Sequence, residues 1–372
     1  MLTTDTAPLY LLQRGLIDSR VIVEGDLLVI DSSRRNANFK VISDRGPSFL
    51  LKQGNGPGRS EGIANEAALY NYLHHEHPSH DTLRCYLAVL RFHDSGEGIL
   101  VTDLLPHALH LAAHHARTGR FSVRIASQLG KALALLHTPD AIRNPQRREA
   151  TRIHNLHLPA PWVLSAHHAT IELYRQLSNA NLQLVRLLQH SPSAATLDDL
   201  RRSWRHSALI HYDLKRENIV VAGRRPILVD WELAGLGDPL WDAGSVLGEY
   251  LAAWLLSIPV TGDHPPDRFL ELARYPLSSI QPAMRAFWQS YTHSSHRNAQ
   301  PAIPNSRLAA SYAAARLIQT AFERSQTSSL LTGEALCLLQ VATNILARPQ
   351  EASIHLLGIP PVASWRTSPP AQ

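Results

Sequence analysis

The stretch HYDLKREN, residues 211–218, limits the possible folds of this chain more than any other segment. It lies between two short apolar runs, residues 208–210 and 219–221. Short apolar runs that are bounded by polar residues, glycine or proline are typical of buried strands. We therefore expect a strand–loop–strand unit whose loop presents the polar side chains of this stretch on a rigid base.

A third apolar run, residues 226–229, leads directly into Asp230. The end of that strand is expected to bring Asp230 beside Asp213 and Asn218 of the loop. Such a group offers one catalytic base and two oxygen ligands of the kind that Mg²⁺ prefers. Phosphoryl transfer requires this combination, because the protein mainly has to position the reacting groups and neutralise charge. The alternative is a strand–loop–strand unit with incidental carboxylates.

The spacing of these residues resembles that of a known superfamily. His211, Asp213, Asn218 and the strand-end Asp230 resemble the catalytic and metal-binding loops of the protein-kinase-like superfamily. Residues 229–242, VDWELAGLGDPLWD, look like the aminoglycoside phosphotransferase and choline kinase branch, since they leave no room for a long regulatory loop. The resemblance implies an ATP- and Mg²⁺-dependent phosphotransferase with an alcohol group as acceptor.

The resemblance also implies the fold class, which is α+β with a bilobal protein-kinase-like architecture. A small N-lobe, residues 1–103, would contain an antiparallel sheet and one main helix and would bind the nucleotide. A larger, mostly helical C-lobe, residues 104–372, would carry the catalytic loop and the substrate-binding region. A chain of 372 residues with 44% apolar content is sufficient for two such lobes.

The chemistry of phosphoryl transfer suggests a role for each polar residue near the loop. Asp213 would accept the proton of the substrate hydroxyl, and Lys215 would offset charge on the transferred phosphoryl group. Asn218 and Asp230 would be the Mg²⁺ ligands. His211 is expected to tie down the loop rather than to act in the chemistry.

Two further aspartates, Asp238 and Asp242, follow the loop. A carboxylate at the start of a helix can accept hydrogen bonds from the first backbone amides. We expect this pair to cap the next helix and to brace the catalytic loop rather than to bind metal.

Lys52 is one of only four lysines, and it ends the strand-like run of residues 48–51. A lysine at the end of an apolar strand is costly unless an anion meets its ammonium group. Glu66 lies fourteen residues later, at the border of the apolar face of a helical pattern, residues 63–73. The pair resembles the ion pair that orients the phosphates of ATP in this superfamily. The alternative is a surface lysine and a solvated glutamate, with Glu61 as the competing residue.

The segment before Lys52 should cover the phosphates, although it contains no GxGxxG motif. Residues 31–38, DSSRRNAN, form a polar turn between two apolar runs. Ser33 and Asn36 are small enough for backbone amides to approach a phosphate, and Arg34 or Arg35 could contact it directly. An ordinary hairpin is the alternative interpretation.

The predicted connection between the lobes follows two strand-like runs, residues 86–92 and 98–102. We expect these runs to pair with each other. By resemblance, residues 102–105 form a hinge whose backbone groups bind the adenine edge, with Asp103 and Leu104 as the contacts.

Helical patterns dominate the rest of the chain. Apolar spacing predicts helices over residues 125–137 and 166–189, and a third over 196–204 with Thr196 and Asp199 spaced as an N-terminal cap. Two more helical patterns are centred on residues 308–322 and 335–345. The Pro-bearing stretch 142–161 is expected to be an exposed connection, and residues 360–372 a loose tail.

Composition excludes several classes of protein. The net charge is +5, but the basic residues are dispersed, without a basic run that carries interleaved aromatic residues, so we expect no nucleic-acid partner. No apolar run is long enough for a membrane span, and no signal peptide is visible at the start. The two cysteines are too few for a disulfide framework and suggest a cytoplasmic protein.

The 21 histidines raise the possibility of a metal site, above all at residues 74–80. Adjacent side chains do not share a helix face, and a His-Glu-x-x-His helix is absent, so a solvated turn is favoured there. The pairs at 114–115 and 167–168 have still less support from the sequence.

The acceptor of the phosphoryl group is not determined by the sequence. From Asp263 to the end there are six acidic residues against nine arginines, which argues against a polycationic antibiotic. A choline-like cation would need an aromatic cage, for which Trp254, Trp288 and Tyr291 are the candidates. A neutral or anionic alcohol, or a Ser or Thr hydroxyl on a peptide, fits the charge better.

Two alternatives stay open. The end of the third strand, Lys52-Gln53, resembles kinase homologues of ribosomal peptide natural-product pathways of the lanthipeptide or thioamitide type. Such a protein would phosphorylate Ser or Thr of a precursor peptide for a partner lyase, with a groove near residues 143–152. A nucleotide-binding pseudokinase scaffold is less favoured, because Lys52, Asp213, Asn218 and Asp230 are all present.

Overall fold

The computed structural model describes residues 1–33, 36–54, 56, 58–138, 157–168, 170–259, 266–297 and 305–360. These residues form two compact units. The first contains Met1–Leu111 and Glu217–Ala234, and the second contains Ala112–Pro139, His157–Arg216 and Gly235–Gln372, within the ranges above. The predicted division after residue 103 stays a prediction. None of the helices in the described ranges is long and apolar enough to span a membrane.

A five-stranded antiparallel sheet is the centre of the first unit, with the strand order β1-β2-β3-β5-β4. The strands are β1 Leu27–Asp31, β2 Ala37–Ser43, β3 Ser48–Gln53, β4 Leu90–Asp94 and β5 Ile99–Leu104. In β2 the buried residues Ala37, Phe39 and Val41 alternate with less buried ones, as expected for a strand with one face on the core. The α+β prediction is confirmed.

The first unit also contains helices. They are α1 Thr6–Gln13, α2 Ser19–Val23, α3 Arg59–His75 and α4 His80–Leu83. Leu11 of α1 packs with Phe39, Phe49 and Val101 in one apolar cluster. The main helix α3 buries its apolar residues together with one charged residue, Glu66.

The predicted strand 86–92 is wrong at its start. Arg84–Tyr86 forms a 3₁₀ turn, and the strand that pairs with β5 runs instead over Leu90–Asp94. Leu87 forms an isolated β-bridge with Leu228 rather than pairing with β5. The chain therefore contacts Leu228 first and pairs with β5 only from Leu90 onward.

A smaller three-stranded sheet completes the first unit, in the order β6-β8-β9. Its strands are β6 Leu109–His110, β8 Ile219–Ala222 and β9 Arg225–Leu228. The hairpin β8–β9 turns at Gly223, whose φ of 63° suits glycine.

The described residues of the second unit are mostly helical, with one strand pair among them, β7 Ala208–Ile210 with β10 Gly235–Gly237. Its helices are α5 Leu111–Thr118, α6 Val123–Leu136, α7 Ile171–Gln176, α8 Asn179–Gln189, α9 Ser193–Arg202, α10 Pro239–Leu255, α11 Leu277–Arg297, α12 Ser306–Arg324, α13 Gly333–Ala347 and α14 Pro349–His355. The helices predicted around residues 125–137, 308–322 and 335–345 are confirmed as α6, α12 and α13.

Glycines allow the central helices of this unit to approach closely. A Cβ added at Gly244 of α10 would lie 2.5 Å from the Cβ of Tyr312 on α12. One added at Gly130 of α6 would lie 2.2 Å from the carbonyl oxygen of Phe287 on α11. Helix α10 is therefore buried along nearly its whole length, which makes it a fixed base for the residues that it carries.

The single helix predicted over 166–189 is wrong. Trp162–His168 is a 3₁₀ helix, and α7 and α8 follow as separate helices. Ser178 is the N-cap of α8, because its hydroxyl accepts a hydrogen bond from the amide of Asn181 at 3.1 Å. The next helix, α9, begins at Ser193 rather than near Thr196, so the predicted N-terminal cap at Thr196 is also wrong.

Some predictions concern residues outside the described ranges. They are the phosphate contacts of Arg34 or Arg35, the peptide groove near residues 143–152, most of the exposed connection 142–161, and the tail over residues 361–372.

Candidate active site

Lys52 lies at the end of β3 between two carboxylates of the first unit. Its Nζ donates to both carboxylate oxygens of Glu66, at 2.9 and 3.0 Å, and to Oδ1 of Asp230 at 2.6 Å. The predicted ion pair between β3 and α3 is therefore present. The Lys52 residue is 8% exposed and Glu66 is 1% exposed.

Burial and charge act in opposite directions on Lys52. Burial lowers the pKa of the ammonium group, but the carboxylates of Glu66 and Asp230 raise it further, so the pKa of Lys52 lies above its ordinary value. The side chain therefore stays protonated at neutral pH. A fixed, protonated lysine at a partly exposed carboxylate is suited to hold an anionic group.

Asp230 is held in an unusual backbone conformation. Its φ is 70°, and Tyr212 is the one other non-glycine residue in the described ranges with a positive φ. Such conformations cost energy and recur at functional sites. The next residue, Trp231, is fully buried, and its amide donates to Oε1 of Glu66 at 3.3 Å. Glu66 therefore fixes both Lys52 and the chain that follows Asp230.

The β8–β9 hairpin brings the two predicted metal ligands to one end. Ile219 pairs with Leu228, and the amide of Val229 donates to the carbonyl oxygen of Asn218 at 3.1 Å. Asn218 therefore precedes the hairpin and Asp230 follows it at the same end. Both side chains carry the oxygen atoms that Mg²⁺ requires. The Asp230 side chain keeps 32% of its surface exposed, so this donor set fits a hard cation.

The β1–β2 turn is closed by its own polar side chains. The hydroxyl of Ser33 accepts from the amide of Asn38 at 3.0 Å, while the Ser33 amide donates to Asp31 at 2.8 Å. Asn36 donates from its side-chain amide to Glu232 at 3.1 Å. Ser33 therefore shapes the turn, and Asn36 connects it to the segment that carries Asp230.

The predicted adenine-binding residues, Asp103 and Leu104, form the last part of β5. The Asp103 carboxylate accepts two hydrogen bonds from Arg91, at 2.6 and 2.8 Å. Its backbone amide donates to the carbonyl oxygen of Val89 at 2.9 Å. A nucleotide would have to use other backbone groups of this segment.

Asp213 and Lys215 belong to the second unit and contact each other. Nζ of Lys215 donates to Oδ2 of Asp213 at 2.7 Å, and the Lys215 amide donates to the Asp213 carbonyl oxygen at 3.0 Å. Both side chains are partly exposed.

Asp242 of α10 braces the loop, as predicted. Its carboxylate accepts from the amides of His211 and Tyr212, at 2.7 and 2.9 Å, and contacts Nε2 of His137 at 3.2 Å. Trp241 donates from its indole to the carbonyl oxygen of Tyr212 at 2.8 Å. These contacts stabilise the positive φ of Tyr212, immediately before Asp213.

Asp238 caps α10, as predicted. Its Oδ1 accepts from the amide of Leu240 at 2.9 Å, with Pro239 at the first helical position. Its other carboxylate oxygen accepts from the hydroxyl of Tyr312 at 3.2 Å. The start of α10 is thus fixed to α12.

A second carboxylate of α10, Glu249, was missed by the sequence analysis. It accepts from Arg216 at 3.0 Å and from Arg316 of α12 at 2.9 Å. Burial raises the pKa of Glu249, but the two guanidinium groups lower it further, so its pKa lies below the ordinary value. Asp242 and Glu249 are seven residues apart and therefore lie on one helix face. That spacing is the signal that could have revealed Glu249.

Comparison with known proteins identifies the family. A model of the phosphotransferase enzyme family (APH) matches residues 26–269, which is more than half of the chain. The chain belongs to the phosphotransferase enzyme family. The match confirms the resemblance inferred from residues 211–242 and the prediction that this phosphotransferase is an enzyme. No curated protein sequence gives a significant match.

Solved structures of low identity are similar to this phosphotransferase. Choline kinase from Cryptosporidium parvum Iowa II is 14% identical with a TM-score of 0.50, and the match covers 97% of this chain and 99% of that chain. Choline kinase LicA from Streptococcus pneumoniae is 16% identical with a TM-score of 0.45, with coverages of 90% and 98%. Macrolide 2'-phosphotransferase MphH from Brachybacterium faecium is 17% identical with a TM-score of 0.47, with coverages of 92% and 98%. The first match supports the protein-kinase-like fold.

Proposed function

We propose that the protein transfers the γ-phosphoryl group of ATP, in the presence of Mg²⁺, to a hydroxyl group of a small molecule. The observation that carries the proposal is the buried Lys52, held between Glu66 and Asp230 at hydrogen-bonding distance. Lys52 of β3 and Glu66 of α3 are buried, which is costly for charged side chains unless they are paired, and Asp230 completes the group from a partly exposed position.

Lys52 is the proposed phosphate-binding residue. Its ammonium group is kept protonated and is held in place by Glu66, so it is suited to bind an anionic phosphate in exchange for one of its present contacts. Glu66 acts through Lys52 and through the amide of Trp231, and it is a positioning residue.

Asn218 and Asp230 are the proposed Mg²⁺ ligands. Both supply oxygen donors at one end of the β8–β9 hairpin. When bound there, Mg²⁺ would neutralise phosphate charge. The two protein ligands leave the other coordination positions for phosphate oxygens and water, as is usual for this ion.

Asp213 is the proposed base that accepts the proton of the acceptor hydroxyl. Lys215 holds one oxygen of this carboxylate and is proposed to offset charge on the phosphoryl group during transfer. The helix α10 supports this pair through Asp242 and Glu249, which fix the residues on either side of it.

The charge balance of the C-terminal part supports a neutral or anionic alcohol rather than a polycation. From Asp263 onward the sequence contains nine arginines and six acidic residues. The peptide-kinase alternative drew on Gln53 after Lys52. In the structure Gln53 accepts from the amide of Leu2 at 2.7 Å and donates to the carbonyl oxygen of Glu97 at 3.1 Å. These contacts give Gln53 a structural role, so it does not favour a precursor peptide and a lyase.

Nucleotide-induced thermal stabilisation tests the proposal. ATP with Mg²⁺ should raise the melting temperature of the wild type, because ligand at about 100 times its Kd stabilises the folded state by about 2.7 kcal/mol. Lys52→Met should lose most of this shift. Lys40→Met, which changes an exposed lysine of the neighbouring strand, should keep it.

The same proteins should then be assayed for Mg²⁺-dependent release of ADP with a panel of hydroxyl compounds. GTP in place of ATP would determine the nucleotide preference. Equal shifts in both lysine variants, or no shift in the wild type, would contradict the proposed nucleotide site.

A further inference from the structure

A second group of potential ligands lies in the second unit, at the end of the Trp162–His168 3₁₀ helix. Here His167 and His168 meet Asp198 of α9. Nε2 of His168 lies 3.0 Å from Oδ1 of Asp198, and Nε2 of His167 lies 3.4 Å from Oδ2. One ligand atom from each residue can be chosen so that all three lie within 4.8 Å of one another.

These distances match the geometry of a metal centre. Zinc binds imidazole nitrogen and carboxylate oxygen at about 2.0–2.2 Å, so the ligands of a tetrahedral site lie about 3.3–3.5 Å apart. The distances from Asp198 to the two imidazoles are already close to this value. Little movement would be needed to close the three side chains around an ion.

His167 supplies an independent observation. The residue is 5% exposed, and neither of its ring nitrogens has a hydrogen-bond partner among the described residues. The 3.4 Å approach to Asp198 is an ion-pair distance without hydrogen-bond geometry. A buried polar atom without a partner carries a free-energy cost in the folded state. A metal ion bound to Nε2 would remove this cost for one of the two nitrogens.

The residues around His167, His168 and Asp198 leave a path by which an ion can reach the three side chains. His168 is exposed over 54% of its side chain, so solvent can reach the group and fill the remaining coordination position. Arg201 approaches Asp198 only at 3.7 Å and from the same helix. Gln189 donates to the backbone carbonyl oxygen of His167 at 3.1 Å and thereby fixes the peptide between the two histidines.

We propose that His167, His168 and Asp198 bind a divalent first-row transition metal ion of the Zn²⁺ type. Imidazole ligands select such ions over Mg²⁺, which prefers an all-oxygen set. The site is independent of the proposed phosphoryl transfer. Its ion would connect the Trp162–His168 helix to α9 and thereby stabilise the second unit.

Metal binding by the chelator-treated, tag-free full-length chain tests this site. Zn²⁺ should bind in one equivalent by isothermal titration calorimetry and should raise the melting temperature, whereas Mg²⁺ at the same concentration should not do so through this site. Co²⁺ should give the visible absorption bands of a site with nitrogen ligands.

Matched variants connect the binding to these side chains. Asp198→Asn and His168→Asn should each weaken Zn²⁺ binding at least about 10- to 100-fold, the loss typical even for residues that only support a ligand. Asp199→Asn removes the neighbouring exposed carboxylate, which pairs with Arg202, and should leave the binding unchanged. His168→Asn alters an exposed residue, so the test does not depend on whether Asp198→Asn folds.

The proposal is overturned if the wild type binds no Zn²⁺, or if Asp198→Asn and His168→Asn bind as tightly as Asp199→Asn. The second result would assign the ion to other histidines of the chain. Neither result bears on nucleotide binding, which is measured separately.

Discussion

At the scale of single residues, buried charges have partners, and those partners indicate function. Lys52 ends an apolar strand, and Glu66 was predicted as its partner from this feature, from the helical pattern of residues 63–73 and from the family resemblance. Asp230, the third charged residue of this group, was predicted from a different motif. The 2.6 Å contact between Lys52 and Asp230 shows that the residues predicted from the two motifs are neighbours. Sequence spacing could not reveal this contact, because 178 residues separate the pair.

Glu249 leads to a pH-dependent prediction. Glu249→Gln should lower the free energy of unfolding by about 3 kcal/mol at pH 7, because it removes one partner of buried charges on Arg216 and Arg316. The folded-state pKa of Glu249 lies below its ordinary value. Its contribution is therefore present above the unfolded-state pKa of about 4.3 and is lost as the pH falls through the folded-state pKa.

Urea unfolding of the wild type and of Glu249→Gln at a series of pH values measures this effect. The difference between them should stay constant from pH 8 to pH 6 and should shrink below about pH 4.3. Glu323→Gln is the control, since this more exposed partner of Arg316 should contribute less than about 1 kcal/mol. An equal loss in both variants would contradict the account of the Glu249 network.

At the scale of elements, α10 holds the loop that carries Asp213 in position. Its buried face presents Asp242 and Glu249 to that loop, and its glycines bring it close to α12. The sequence predicted the elements with strong periodicity, such as α6, α12 and α13. It failed at residues 166–189, because a hydroxyl cap at Ser178 and a 3₁₀ segment interrupt a pattern whose apolar spacing continues across them.

Close packing of α10 on α12 predicts the effect of a single methyl group. Gly248→Ala should lower the free energy of unfolding by about 1–3 kcal/mol, because the new Cβ would lie 2.8 Å from the carbonyl oxygen of Ala313 and 2.9 Å from the Cβ of Arg316. Gly62→Ala in α3 is the matched control. Among the described residues, no atom outside the adjacent turns of its own helix lies within 4 Å of the added Cβ, so the substitution should be neutral or should stabilise by up to about 1 kcal/mol.

Chemical denaturation of both glycine variants decides between packing and helix propensity. If Gly248→Ala were as stable as Gly62→Ala relative to the wild type, the close approach of α10 and α12 would not limit stability.

At the scale of the whole molecule, the proposed residues are divided between the two units. Lys52, Glu66, Asn218 and Asp230 belong to the first unit, and Asp213 and Lys215 belong to the second. The sequence predicted these residues because their order along the chain resembles that of the family. The match over residues 26–269 confirms the family, and the roles of the individual residues stay predictions. It did not determine the acceptor, because substrate contacts depend on side chains that no short motif specifies.

This division predicts that nucleotide binding and turnover can be separated by substitution. Asp213→Asn keeps every residue of the proposed phosphate and Mg²⁺ sites and should therefore retain the thermal shift with ATP and Mg²⁺. Its turnover should fall about 100- to 10,000-fold, which is the usual contribution of a general base.

The most direct test is the transfer of the labelled γ-phosphoryl group of ATP to a panel of small-molecule alcohols, by the wild type and by Asp213→Asn. The account predicts a phosphorylated product that depends on Mg²⁺ with the wild type, and at least about a 100-fold lower rate with the variant. A wild type that binds ATP and transfers phosphate to no alcohol, or a variant as fast as the wild type, would contradict it.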